Sequence, residues 1–353
     1  MQMVEEKRRK EWNMKEIYIS EKEAGQRLDK LLGKYLNTAP KSFLYKMLRK
    51  KNITLNGKKA AGNEKLCAGD RIKFFLSEET LSKFSNTQIQ YTAKKLDILY
   101  EDKDVLFINK PVGMLSQKAK PQDESLVEHI LTYLLKSGQL KEEELLTFRP
   151  SICNRLDRNT SGIIAAGKTL AALQQLNASF KERTIQKYYL CLVKGQVTAS
   201  ARIRGVLIKD RTYNKVTILP QKREEIQTDA ERREEAYIET EYQPIVTADD
   251  FTLLKVHLIT GKTHQIRAHL ASIGHPLIGD YKYGECRLNE QYKKEFGCQS
   301  QLLHAYQLIM PECKGELQHL SGMKITAPLP ALFEKVLRTK GVKIDGDMEF
   351  KRT

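Results

Sequence analysis

Apolar residues recur every three or four positions near the start of the chain and mostly every second position after residue 95. Leu28, Leu31, Leu32, Tyr35 and Leu36 share one face of a helix within residues 25–36. Pro40-Lys41-Ser42 opens a second helical run, whose apolar face is Phe43, Leu44, Met47 and Leu48. Asn56-Gly57 is a two-residue hairpin signal, and Ile72, Phe74 and Leu76 alternate along a strand over 70–76. Residues 77–92 are polar and weakly patterned, as a linker would be. Beyond them, Leu96, Ile98 and Tyr100 alternate before an Asp/Lys turn, and Val105 to Ile108 is a short apolar run. Helical spacing returns at 125–136 and 168–180. Strands are expected at 162–167, 187–194, 203–208, 215–219, 236–245 and 251–259. The almost wholly polar 221–235 reads as an exposed loop, and 345–353 as a frayed end.

This order predicts an α+β protein. A catalytic-sized domain with a mixed, mainly antiparallel sheet is expected over 93–338, and a small N-terminal α/β module over 15–77. A linker at 78–92 joins them, with tails at 1–14 and 339–353. The chain of 353 residues is long enough for two domains.

Charge sharpens the picture. The net charge is +16, and the first 77 residues hold nineteen Lys and Arg against nine Asp and Glu. Such asymmetry points to a phosphate-bearing partner. No apolar run is long enough to span a membrane, and the N-terminus lacks the apolar stretch of a signal peptide. Six scattered cysteines without Cys-x-x-Cys spacing suggest reduced thiols and a cytoplasmic protein, not a zinc site or disulfide framework. The absence of GxxxxGK[ST], of a strand-associated GxGxxG and of HExxH lowers nucleotide hydrolysis, dinucleotide redox and zincin chemistry.

Three stretches combine reactive groups with turn residues. In NRLDRNTSG (154–162) a lone carboxylate, Asp157, lies between Arg155 and Arg158. In KYYLCLVKG (187–195) a lysine leads into two tyrosines on a strand, and the pleat lets only one of them face a site. In TGKTHQIRAHLASIGHPLIGD (260–280) Gly261 permits a turn and Thr263 can cap a short helix. Ile266, Leu270 and Ile273 are its apolar face, Gly274 is placed to end it, and Arg267 lies off the centre of the stripe. His264, His269 and His275 suit structural or RNA-contacting roles better than a metal.

KSFLYKMLRKKNITLNGKK, with its helix, basic helix and hairpin in order, resembles the S4 RNA-binding module over residues 25–76. The three later motifs resemble the signatures of the RluA family of RNA pseudouridine synthases, a likeness that runs from about 95 to 330. With the basic module in front, the chain is similar to the large-subunit ribosomal RNA enzymes of that family. The resemblance implies a pseudouridine synthase fold, isomerisation of specific uridines in 23S ribosomal RNA, and no cofactor or metal. It puts the catalytic aspartate on Asp157 and the uracil-contacting tyrosine on Tyr189. The arginine that pairs with the aspartate falls on Arg267, and the arginine that replaces the flipped base in the stack on Arg155. Asn154 stands where the family often has histidine, and it is grouped with Arg155 and Arg158 as an RNA contact. Arg27, Lys41, Ser42, Lys46, Arg49, Lys50 and Lys51 are the RNA contacts expected of the S4-like module. The implied partner is ribosomal RNA or its assembly intermediates, met by a monomer.

The residue types suit that reaction. Breaking the N1–C1′ bond, turning the uracil and joining C5 to C1′ is balanced without oxidant, donor or metal. One carboxylate can act as nucleophile at C1′ or on the ring, or as base at C2′. Burial would raise an aspartate's pKa and a guanidinium would oppose the rise, so Asp157 is expected ionised at neutral pH. A planar arginine can fill the vacated stack, and tyrosine offers the extruded ring a flat surface. Two other functions compete: a non-catalytic RNA-binding or ribosome-assembly protein, and a glycoside-type hydrolase. The hydrolase would need a second carboxylate across the scissile bond, which neither motif supplies.

Overall fold

The computed structural model describes residues 15–20, 23–85, 91–92, 95–210, 215–219, 234–344 and 350–352. The chain divides into two compact units. The first takes residues up to 95 together with 127–151 and 167–174, and the second takes 96–126, 152–166 and 175 onward.

The first unit begins with β1 (Lys15–Tyr18), α1 (Leu28–Tyr35), α2 (Lys41–Arg49), β2 (Ile53–Leu55), β3 (Lys58–Lys59), β4 (Arg71–Phe74) and α3 (Glu78–Phe84). Its antiparallel sheet runs β1-β4-β2-β3. Asn56 and Gly57 both have positive φ, 51° and 73°, as a two-residue hairpin turn requires. Leu28, Leu31, Leu32 and Tyr35 of α1 and Leu44, Met47 and Leu48 of α2 are buried in one core, where Tyr35 stacks on Phe74 at 4.9 Å. The opposite side of α2 leaves Lys41, Ser42, Lys46 and Arg49 exposed, followed by exposed Lys50 and Lys51. Arg27 is turned to its own unit: its guanidinium is paired with Asp29 at 2.8 Å.

Two expectations about this region change. The stretch read as linker contains α3, capped by Ser77 and packed through Phe84 on Phe43 at 4.7 Å. Residues 127–151, expected in the later domain, cluster with the first unit: Leu146 packs on its core, and Thr147 donates to Glu23 at 2.9 Å.

The remaining elements are β5 (Ile98–Glu101), β6 (Val105–Lys110), α4 (Leu126–Lys136), β7 (Ser151–Ile152), β8 (Ser161–Gly167), α5 (Leu170–Glu182) and β9 (Gln186–Lys194). Then follow β10 (Ala201–Asp210), β11 (Lys215–Leu219), β12 (Glu234–Thr247), β13 (Phe251–Leu258), α6 (Gln265–Ser272), α7 (Cys286–Phe296) and β14 (Leu303–Ile309). The chain closes with β15 (Lys324–Thr326), α8 (Ala331–Thr339), β16 (Val342–Ile344) and β17 (Phe350–Arg352). Nine strands of the second unit line up as β11-β10-β12-β13-β9-β14-β8-β6-β5. The ladder is antiparallel at the pairs from β11 to β14 and parallel between β14 and β8.

The alternation along β9 divides the labour of the sheet. Leu190 and Leu192 enter a core with Phe251, Tyr292 and Phe296 of α7, and Phe333 and Val336 of α8. Lys187 and Tyr189 face the other way, into a cavity. β8 is buried along its whole length, which fits its continuous apolar run between covered faces. Gly162 lets it close on β14: at φ 112°, a Cβ here would sit 2.1 Å from the Ala305 carbonyl oxygen.

The expected polar loop at 221–235 lies outside the described residues except for its last two, which belong to β12. The C-terminal tail is not frayed throughout, because β17 pairs with β16 from Val342↔Arg352 to Ile344↔Phe350.

Candidate active site

Asp157 sits in a tight loop between Cys153 and β8, and this loop is fastened on both sides. Asn154 donates to the Ile163 carbonyl at 3.1 Å and accepts from the Ala165 amide at 2.8 Å. Asn154, expected as an RNA contact, thus clasps the backbone of β8, where an amide side chain can satisfy one donor and one acceptor together. Ser116 brackets Leu156, donating to its carbonyl at 2.7 Å and accepting from its amide at 3.0 Å. Arg158 is exposed and donates from Nε to the Gly113 carbonyl at 3.1 Å.

Lys110, at the end of β6, anchors the same loop and was not anticipated from the sequence. Its fully buried ammonium donates to the carbonyls of Pro111 and Met114 at 2.9 Å and of Arg158 at 3.1 Å. Burial pushes its pKa down to about 7, against the pull of Asp157. The only sequence signal was a Lys-Pro pair at a strand end, which a surface lysine would satisfy equally well.

α6 delivers the partner of Asp157. Arg267 Nη1 donates to Asp157 Oδ2 at 2.9 Å. Its Nε and Nη2 grip Asp280 at 2.7 and 2.9 Å, and the guanidinium lies over the Tyr283 ring at 5.3 Å. Burial opposes the charge on Arg267, but Asp280 and then Asp157 more than restore it, so its pKa rises. Asp280 is fully buried, which would raise its pKa; Arg267 and the amides of Lys282 and Tyr283 hold it below the ordinary value instead.

α6 starts differently from the sequence expectation. The residue before its first turn is His264, in a left-handed conformation at φ 55° and without a side-chain capping bond, and not Thr263. Gln265 ties the start down by accepting from Thr260 Oγ1 at 2.9 Å and the Lys262 amide at 3.1 Å. The strained turn places His264 Nε2 3.8 Å from Asp157 Oδ2. Tyr283 Oη accepts from the Val216 amide at 3.0 Å and lies 2.9 Å from His264 Nδ1. All three groups are satisfied when the Tyr283 hydroxyl donates to Nδ1, which leaves the imidazole proton on Nε2, facing Asp157. Burial lowers the His264 pKa although Asp157 opposes it.

Asp157, His264 and Arg267 line a cavity of about 610 Å³ that also takes in Arg155, Lys181, Arg183, Lys187 and Tyr189. Tyr189 is 7% exposed, and burial, reinforced by Asp157's charge, raises its pKa far above neutrality. It is thus a neutral ring in the wall. Arg155 is exposed at the rim. Of the predicted site residues, the structure brings Asp157, Arg267, Tyr189, Arg155 and Asn154 to this cavity, while Arg158 is exposed outside its lining. Among the described residues, no group of three or more His, Cys, Asp or Glu side chains could hold a metal ion.

Residues 104–272 match the family model described as RNA pseudouridylate synthase. The ribosomal large subunit pseudouridine synthase C of Vibrio vulnificus is 31% identical over 333 residues, covering 92% of this chain and 95% of the relative. That of Pasteurella multocida is also 31% identical, covering 92% and 93%. The solved human RNA pseudouridylate synthase domain containing 4 shares the fold, with a TM-score of 0.53 at 23% identity over 68% of this chain and 91% of that one. A carboxylate held by a buried arginine at the end of a cavity, and relatives matched along nearly their whole length, lead to one assignment: the chain belongs to the RluA family of RNA pseudouridine synthases.

Proposed function

We propose that this enzyme converts uridines to pseudouridine in large-subunit ribosomal RNA, with Asp157 as the reacting group. The observation that carries the reading is the one-sided grip on that carboxylate. Oδ2 is held by Arg267 and faced by His264, while no hydrogen bond is made to Oδ1 among the described residues. Oδ1 is therefore the oxygen available to the nucleotide, whether it adds to C1′ or the ring or removes the C2′ proton. Tyr189 carries the extruded uracil on its face and, being neutral, leaves charge to Asp157. Arg155 at the rim fills the vacated place in the RNA stack. Arg27, Lys41, Ser42, Lys46, Arg49, Lys50 and Lys51 belong, on this reading, to an S4-like domain that holds phosphate backbone. The protein works as a cytoplasmic monomer on ribosomal RNA or its assembly intermediates, needing no metal or cofactor.

Tritium release from protein-free large-subunit RNA labelled at uridine C5 tests the proposal. Wild-type protein should release tritium, and Asp157→Asn should abolish release while RNA binding stays within about twofold. Tight binding by the wild type with no release would make it an RNA-binding protein and sink the enzyme reading.

A further inference from the structure

A buried cation in the cavity has no counter-charge among the described residues. Lys187 is 8% exposed, on the same face of β9 as Tyr189, and it lines the cavity with Arg183 and Gly261. No hydrogen bond or ion pair engages its ammonium among the described residues. Asp157 is not its partner: the side chains against that carboxylate are Arg267 and His264. Burial and the neighbouring Arg183 both lower the Lys187 pKa, with no acidic group opposing them. Gly261 keeps one side of the ammonium clear: a Cβ there would stand 3.8 Å from Nζ. Buried charges in folded proteins are ordinarily paired, so a desolvated lysine next to an arginine is a site built for an anion that arrives with the substrate.

We propose that Lys187, with Arg183 beside it, clamps the RNA phosphodiester adjoining the uridine that enters the cavity. The proposal rests on the uridine-isomerising reading above. Strand geometry supplies the spacing. Lys187 precedes Tyr189 by two residues, a rise of roughly 7 Å along β9. That separation is of the order of the one between a uracil ring and the phosphate next to its ribose. A uracil carbonyl would answer one donor but not two adjacent positive charges, whereas a phosphodiester presents a full charge and two free oxygens. Tyr189 then fixes the base and Lys187 the backbone, and the two together select which nucleotide lies against Asp157.

The test pairs a protein variant with a backbone change in the RNA. A fragment of large-subunit RNA that the wild type modifies is synthesised with one neutral methylphosphonate, either 5′ or 3′ of the target uridine. Single-turnover pseudouridine formation is measured against protein concentration for wild type, Lys187→Met and Lys187→Arg. At one of the two positions the neutral linkage should raise the wild-type half-saturating concentration about tenfold. Lys187→Met should show a similar rise on normal RNA, and less than about twofold more when both changes are combined. Lys187→Arg should retain most of the affinity. Because Lys187→Met removes a buried unpaired charge, its melting temperature should equal or exceed that of the wild type, which separates lost clamping from lost folding. Losses that multiply at both positions, or normal half-saturation in Lys187→Met, overturn the clamp while leaving the enzyme reading intact. A wild type that forms no pseudouridine on unmodified RNA overturns both.

Discussion

Arg267 holds two carboxylates at once, and the division is unequal. Asp280, wholly buried, takes Nε and Nη2; Asp157, with a side chain 26% exposed, takes Nη1 alone. Asp280 is thus a positioning residue that fixes the guanidinium so that Nη1 aims at the carboxylate proposed to react. Replacing it with asparagine keeps the shape and removes the charge. Asp280→Asn should lower the single-turnover rate by about 10²-fold while RNA binding changes by no more than about twofold. The cost of breaking the buried pair should also show as a loss of about 3 kcal/mol in unfolding free energy. Unchanged rate with unchanged binding would show that Arg267 needs no such support. At this scale the sequence marked the residues that meet in the cavity better than the residues that hold them. Asp157, Tyr189 and Arg267 sit in motifs of recognisable type. Lys110, His264 and Asp280 act through distances across the fold that no local spacing encodes. The two bonds of Asn154 to β8 likewise join positions nine and eleven residues apart.

Among the elements, the long ones were legible and the short ones were not. The alternation along β9, β12 and β13 located them to within a few residues, because each buries a continuous face. β1 buries none of its four residues fully and is held by its ladder to β4, so it leaves no apolar signature. α3 looked like linker because Leu81 and Phe84 are too few to make a stripe, although Ser77 supplies its cap. α2 shows the reverse case, with its apolar face buried and its cations outward. Replacing Lys46, Arg49 and Lys50 with glutamate should weaken RNA binding and make the salt dependence shallower by about 2–3 in log–log slope. An unaltered slope would place α2 off the RNA.

For the molecule as a whole, the balance of charge depends on groups the fold keeps neutral. His269 and His304 are 2% and 0% exposed, and burial pushes the pKa of each down to about 4. The unfolded chain would protonate both near the ordinary histidine value, about 6.5. Their contribution to stability is therefore complete above pH 6.5 and is lost as pH falls from there to 4. Each should remove about 1.4 kcal/mol per pH unit in that window. Urea unfolding at pH 7.5 and 5.0 should show this loss, and His304→Gln should reduce it by about half. A stability independent of pH over that range would mean that neither ring is kept neutral by the fold. The overall α+β class and the strand-rich second half were readable from periodicity alone. The apportioning of 127–151 to the first unit was not, since it depends on contacts between segments more than a hundred residues apart.

The parallel pairing of β8 with β14 sets a timetable for the ribosome that makes this protein. Asp157 is synthesised early, yet the strand that follows its loop leans on residues 303–309, and its arginine and that arginine's anchor lie at 267 and 280. Chains emerge from the N-terminus and fold as their contacts become available. The basic helix of the first unit is thus available long before the carboxylate acquires its neighbours. The setting of Asp157 is completed only once residues 303–309, roughly 150 positions further on, have been added.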